Sequence, residues 1–187
     1  FFQNNERSTS CKQCQAGYAC KKKQRTAYLC PGGWISKTAE STSCSACSAG
    51  KASMVDGSTF CTICIAGKVS SADNSSSCHE CETGRFSEAD QSLLCKSCPQ
   101  GYAINQTSSS TCNYCPIGNR SIDSIQSTGC MSCLLGEIQV PNTRSCHLCY
   151  PGYFSFYPGE QMPVDFSEEA GKEDQALCNS CPEGAIC

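Results

Sequence analysis

The sequence predicts a small disulfide-rich β fold: an elongated tandem array of short one-disulfide β-hairpin modules, with little or no helix and no large hydrophobic core. Three observations predict it. The spelling Cys-x-x-Cys-x-x-Gly occurs nine times, beginning at Cys11, Cys44, Cys61, Cys78, Cys95, Cys112, Cys130, Cys146 and Cys178, mostly 17 residues apart. A period that short gives a unit too small to bury a core alone, so neighbours must cover one another. Cysteine supplies 21 of the 187 residues, a density that belongs to disulfide scaffolds of oxidising compartments. Between the cysteines Ser, Thr, Gly and Asn dominate, and no 3.6-residue apolar period survives.

Composition excludes several classes. A net charge of −3 leaves no basic face to neutralise phosphates, so nucleic acid is not expected as a partner. The one basic run, Lys21-Lys22-Lys23-Gln24-Arg25, reads as a solvated loop between cysteines. No apolar stretch is long enough to span a membrane, and no signal peptide is visible, although a disulfide-rich chain must be secreted. A mature product or a fragment is therefore expected.

The cysteines admit two chemistries. Zinc ligation tolerates Cys-x-x-Cys pairs about 13 residues apart, but the single cysteines Cys20, Cys30 and Cys187 have no role in it. A redox-active pair needs a strand–helix setting that is missing. Disulfides account for more. The second Cys of each pair stands 14 residues before the first Cys of the next in Cys47–Cys61, Cys64–Cys78, Cys81–Cys95 and Cys98–Cys112; the gap is 15 for Cys115–Cys130 and 13 for Cys133–Cys146. Cys30 closes 14 residues later at Cys44. Cys14–Cys20, Cys149–Cys178 and Cys181–Cys187 complete ten bridges and leave Cys11 over. Residue 1 is expected to begin inside a unit, because Phe2 stands nine residues before Cys11 as Phe86 does before Cys95. The partner of Cys11 is then upstream or in another chain.

Within a unit, a short strand follows the Gly (Lys68-Val69-Ser70, Arg85-Phe86-Ser87), then a polar turn such as Asp56-Gly57 or Ala72-Asp73-Asn74. The return is expected to end in the Ser or Thr before Cys: Thr42-Ser43, Ser76-Ser77, Ser110-Thr111. The Gly is expected to take a positive φ or to let a neighbouring backbone approach. The residue two after it (Val69, Phe86, Ile138, Phe154, Ile186) is the expected stacking seam.

The spelling Cys78-His79-Glu80-Cys81-Glu82-Thr83-Gly84-Arg85-Phe86-Ser87 resembles ephrin-receptor-like cysteine-rich repeats, which are similar in turn to the one-disulfide modules of TNF-receptor ectodomains. The resemblance covers essentially residues 2–187. It implies an extracellular, non-enzymatic rod and says almost nothing about a ligand.

Few other residues carry chemistry. His79 and His147 sit inside Cys-x-x-Cys gaps and read as exposed turn residues; no catalytic set, phosphate loop or cofactor site can be located. Asn74-Ser75-Ser76, Asn105-Gln106-Thr107 and Asn119-Arg120-Ser121 are N-glycosylation sequons. The clusters Ser75-Ser76-Ser77 and 107–111 read as solvated turns that could also carry O-linked sugars. The aromatic stretch with Tyr153, Phe154, Phe156 and Tyr157 reads either as a local mini-core or as a contact with another chain.

The expected organisation is the end of a truncated repeat at 1–13, a small module and linker at 14–29, seven tandem repeats at 30–149, a repeat with an aromatic and acidic insertion at 150–180, and the start of a further module at 181–187. The expected function is a non-enzymatic, cell-surface or secreted structural glycoprotein segment, a stiff rod that forms or spaces a filament or appendage. Its expected partners are copies of itself or neighbouring repeats, and it carries glycans and no cofactor or metal. The alternative is a receptor ectodomain with a protein ligand. Regular spacing and few interface-type residues outside 150–166 favour the rod.

Overall fold

A computed structural model describes residues 13–20, 26–140, 144–149, 151, 153–154 and 179–181. Among these, 18 strands of two or three residues form nine two-stranded sheets, and no helix is present. The first strand of each hairpin follows the Gly, as expected. The return strand does not lie on the Ser/Thr residues before the cysteine. It is the pair of residues inside Cys-x-x-Cys itself: Thr62-Ile63 between Cys61 and Cys64, His79-Glu80 between Cys78 and Cys81.

The spacing of Gly explains that shift. Ile65 to Lys68 form a turn in which the Lys68 N–H donates to the Ile65 carbonyl at 2.9 Å, with Gly67 at φ 84°. A positive φ at the third turn position is what a type II turn requires, and Gly takes it without a Cβ penalty. The Gly67 carbonyl then accepts from the Cys81 N–H at 2.9 Å. This bond sets the register one residue beyond Glu80, so the two residues before Cys81 must pair with the two after Gly67. Lys68 lies opposite Glu80 and Val69 opposite His79.

The chain divides into two compact units that interleave in sequence: Phe1–Glu82 with Phe86–Lys96 and Thr107–Thr111, and Thr83–Arg85 with Ser97–Gln106 and Cys112–Cys187. In the first unit, β1 (Tyr18–Ala19) pairs with β2 (Tyr28–Leu29), β3 (Trp34–Ile35) with β4 (Ser45–Ala46), β5 (Lys51–Ala52) with β6 (Thr62–Ile63), and β7 (Lys68–Val69) with β8 (His79–Glu80), all antiparallel. Its disulfides are Cys14–Cys20, Cys30–Cys44, Cys47–Cys61, Cys64–Cys78 and Cys81–Cys95. The strands β9 (Arg85–Phe86) and β10 (Lys96–Ser97) pair and contribute residues to both units.

In the second unit, β11 (Tyr102–Ala103) pairs with β12 (Asn113–Tyr114), β13 (Asn119–Ser121) with β14 (Cys130–Ser132), β15 (Glu137–Gln139) with β16 (Cys146–Leu148), and β17 (Tyr153–Phe154) with β18 (Asn179–Ser180), all antiparallel. Cys98–Cys112, Cys115–Cys130 and Cys133–Cys146 are its disulfides. Cys149 and Cys181 are also disulfide-bonded, while Cys178, Cys187 and Cys11 lie outside the described residues. The β17–β18 pair joins residues on either side of the aromatic and acidic insertion, with Tyr153 opposite Ser180 and Phe154 opposite Asn179.

The interior is made of sulfur, small side chains and serine. The second Cys of each pair is buried (Cys47, Cys64, Cys81, Cys98, Cys115), whereas the first (Cys61, Cys78, Cys95, Cys112, Cys130) is half-buried. Ile35, Ala52, Val69, Ala103 and Ile138, two residues after the Gly, are buried; Phe86 is only half-buried. The side chain of Phe154, and Ile186, lie outside the described residues. A 14-residue loop closure contributes about 3 kcal/mol, less than ordering those residues costs. Contacts between modules must supply the difference.

Candidate surface and modification sites

A module is taken here as the loop opened by the second Cys of one pair and closed at the first Cys of the next. Its polar turn ends in one residue with positive φ: Glu40, Gly57, Asn74, Gln91, Ser108, Gln126 and Arg144. That turn tip is where modules meet. In the first unit the tip N–H donates to the opening cysteine of the preceding module: Asn74 to the Cys47 carbonyl, Gln91 to Cys64 and Ser108 to Cys81, at 2.7, 2.7 and 2.8 Å. In the second unit Gln126 donates to Cys98 at 2.9 Å. The tip also roofs the Gly of the module two before it. The carbonyl oxygen of Ser108 occupies the space where a Cβ on Gly67 would stand, and that of Gln126 does the same over Gly84.

The serine three residues after the Gly completes the seam. Ser53 and Ser70 are buried, and their N–H groups donate to the Ser75 and Ser92 carbonyls of the next module at 3.2 and 3.3 Å. The Ser70 hydroxyl donates to the Ala72 carbonyl at 3.2 Å. Burying a hydroxyl is tolerated because it is bonded. Asp56, Asp73 and Asp90, beside the tips, accept from the amides of Gly32, Ala49 and Ala66 of the preceding module at 2.8, 2.8 and 2.9 Å. Asp56 and Asp73 read from sequence as turn residues; with Asp90 they are also caps between modules.

Two tips carry distinctive side-chain chemistry. In the first unit, Lys68 Nζ lies 2.9 Å from Glu80 Oε1 across β7 and β8. Hydrogen bonding from Lys68 and then from Ser108 holds the Glu80 carboxyl below its ordinary value of 4.5, with Thr107 adding a smaller pull. In the second unit, Tyr102 and Tyr114 are directly opposite across β11 and β12, with ring centroids 4.7 Å apart and planes tilted by 42°. The Arg144 guanidinium, from the tip two modules on, lies 4.3 Å from the Tyr114 centroid and 6.0 Å from that of Tyr102. Hydrogen bonding to Tyr114, then burial, raises the Tyr102 phenol above its ordinary value of 10.0.

The three sequons fall in different settings. Asn74 is the exposed tip with φ 55° and lines a shallow groove of about 300 Å³ with Asp73, Ser75 and His79. Asn105 is exposed in the turn after β11. Asn119 is half-buried in β13; its amide nitrogen donates to the Ile117 carbonyl at 3.1 Å and its Oδ1 accepts from the Ser132 hydroxyl at 3.2 Å. Of the Ser75–Ser77 cluster, the Ser75 hydroxyl is bonded to the Ala72 carbonyl at 2.8 Å.

His79 and His147 are exposed, but they stand on the return strands β8 and β16 rather than in turns; His147 Nε2 lies 2.8 Å from the Ser145 hydroxyl. Among the described residues, Cys133, Glu137 and Cys146 are the one group close enough to share a metal. Cys133 and Cys146 are bonded to each other, so the group offers no thiolate. Tyr153 is 39% exposed, and Phe156, Tyr157 and the basic run at 21–25 lie outside the described residues. Interface-type side chains are not confined to 150–166. Met54, Leu94, Leu135 and Leu148 are 79, 73, 78 and 74% exposed, because a module with so small an interior leaves large apolar groups outside.

No family model matches the chain, and no curated protein matches it either. The tandem two-strand hairpins and the disulfide ladder make it a cysteine-rich repeat protein. Disulfides at this density favour an extracellular or secreted location. No helix among the described residues is long and apolar enough to cross a membrane.

Proposed function

We propose that the chain is a non-enzymatic, extracellular structural segment: a stiff repeat array that spaces or builds a surface filament or appendage, of the kind its likeness to ephrin-receptor-like repeats implies. One observation carries the reading. The same main-chain bond, turn tip to opening cysteine of the preceding module, recurs at Asn74, Gln91 and Ser108 with lengths within 0.1 Å of one another, 2.7 to 2.8 Å. A contact made by backbone atoms and repeated at fixed spacing supports extension rather than recognition. Its partners are neighbouring repeats and copies of itself. Tyr153, Phe154, Phe156 and Tyr157 supply a lateral contact, Cys11 an interchain bridge, and Asn74 and Asn105 carry glycans.

Low-dose imaging of native material, with small-angle scattering of this segment, tests the proposal. Filaments, and a radius of gyration well above the roughly 16 Å of a globule this long, are the expected results. Dispersed particles in the native material would overturn it. The exposed Leu134, Leu135 and Leu148, 64 to 78% accessible in the second unit, favour a second reading as a receptor ectodomain. A monovalent protein ligand that binds the isolated segment and is lost on changing those leucines to Ser would select that reading.

A further inference from the structure

We propose that Tyr102 and Tyr114 are a site of oxidative cross-linking, at which hydrogen peroxide acting through a haem peroxidase joins the two rings into a dityrosine. The pairing is geometric. The two residues are Cα partners on β11 and β12, so the hairpin holds their side chains on one face. Their centroids are 4.7 Å apart with a tilt of 42°, and among the described residues no other pair of rings is in contact. Tyr114 is 61% exposed and Tyr102 half-buried, so an oxidant reaches the pair from solvent. Two reacting groups held in contact couple far faster than groups that must meet by diffusion.

The step balances. The peroxide takes one electron and one proton from each phenol and is reduced to two molecules of water. The two phenoxyl radicals join through the ring carbons ortho to oxygen. Each of those carbons then passes its hydrogen to its own phenol oxygen as the ring becomes aromatic again. One carbon–carbon bond has formed and two ring carbon–hydrogen bonds are gone.

Arg144 directs the outcome. Its guanidinium covers Tyr114 at 4.3 Å from the centroid, which hinders approach of a ring from another molecule and leaves Tyr102 as the near partner. The product is a covalent rung between β11 and β12, beside the Cys98–Cys112 disulfide. Unlike that disulfide, it survives a thiol reductant.

The test uses the whole chain treated with hydrogen peroxide and a haem peroxidase, then reduced, cyanylated and cleaved at its cysteines. Cleavage separates residues 98–111, which hold Tyr102, from the short fragment opened by Cys112, which holds Tyr114. The expected result is that these two fragments stay joined, lighter by two hydrogens, with blue dityrosine fluorescence. Tyr102→Phe and Tyr114→Phe, which keep the ring contact, should each abolish the joined species, and Arg144→Ala should raise the share of links between chains. Complete separation of the two fragments, dityrosine formed only between chains, or an undiminished yield in either Phe variant would each overturn the proposal.

Discussion

The carbonyl oxygen of Ser108 lies where the side chain of Gly67 would begin, although 41 residues separate them (108 − 67). In the first unit the modules opened by Cys30, Cys47 and Cys64 are each fixed by their successor through hydrogen bonds and by the next one again through a steric roof.

Gly67→Ala and Gly136→Ala separate the two demands on this glycine. Gly136 has φ 83° and, among the described residues, nothing within 4 Å of where its Cβ would stand, so its substitution costs the left-handed backbone, about 1–2 kcal/mol. Gly67→Ala incurs that cost and also forces the Ser108 turn away, adding roughly 1–3 kcal/mol. Amide exchange at Ser108 should accelerate in Gly67→Ala and stay unchanged in Gly136→Ala. Equal effects on stability would refute the roof.

Asp73→Ala removes the acceptor for the Ala49 amide and should destabilise that junction by about 1 kcal/mol. Exchange of the Ala49 N–H, read by NMR, should speed up several-fold. Asp73→Asn keeps an acceptor and should recover most of the protection.

Low pH should loosen the junction around Glu80. Its folded-state pKa is depressed below 4.5 by Lys68 and Ser108. A depressed carboxylate contributes stability that is complete above the unfolded value and is lost as pH falls through the folded one. Chemical shifts of Lys68 and Ser108 should therefore titrate together below pH 4.5, and Glu80→Gln should abolish the transition. Because the pair is exposed, the effect should weaken with added salt.

Removing one rung by the double change Cys64→Ser and Cys78→Ser should cost about 3 kcal/mol. Non-reducing peptide maps of the parent should give Cys47–Cys61 and Cys81–Cys95, and those links should persist in the variant. Stoichiometric zinc with free thiols would contradict the ladder.

Glycan mapping of protein from its native source should find occupancy at Asn105 or Asn74 and none at Asn119. Asn119 is half-buried, and its side-chain amide is engaged at both ends, by the Ile117 carbonyl at 3.1 Å and the Ser132 hydroxyl at 3.2 Å, which leaves little room for a sugar. A fully occupied Asn119 would show that this strand rearranges.

Much of the fold was legible because cysteine and glycine have few substitutes. A constant gap between cysteines selects one set of neighbours, and a Gly three residues after the second Cys marks the turn. The return strand was missed because pairs such as His79-Glu80 and Lys96-Ser97 show no strand preference; their pairing is imposed by the turn and the adjacent disulfides. The roof was invisible for a different reason. It is built from the carbonyls of Ser108 and Gln126, a group that every residue carries. The Tyr102–Tyr114 pair did leave a trace: once the residue after the Gly is known to face the second residue inside the next Cys-x-x-Cys, the two tyrosines fall opposite each other.

The uniform seam has a consequence for how the chain finds its own partners. Main-chain bonds alone are indifferent to which module follows which, so a looped-out module could be skipped with every such bond replaced by its equivalent. Side chains under the tips act as addresses against that error. The Ser108 tip meets the Lys68–Glu80 ion pair, whereas the Arg144 tip meets two aromatic rings. Exchanging those neighbours would set a guanidinium in competition with Lys68 for the Glu80 carboxylate and leave the rings without their cation. A monotonous backbone thus tolerates repetition, and its few idiosyncratic side chains keep the count.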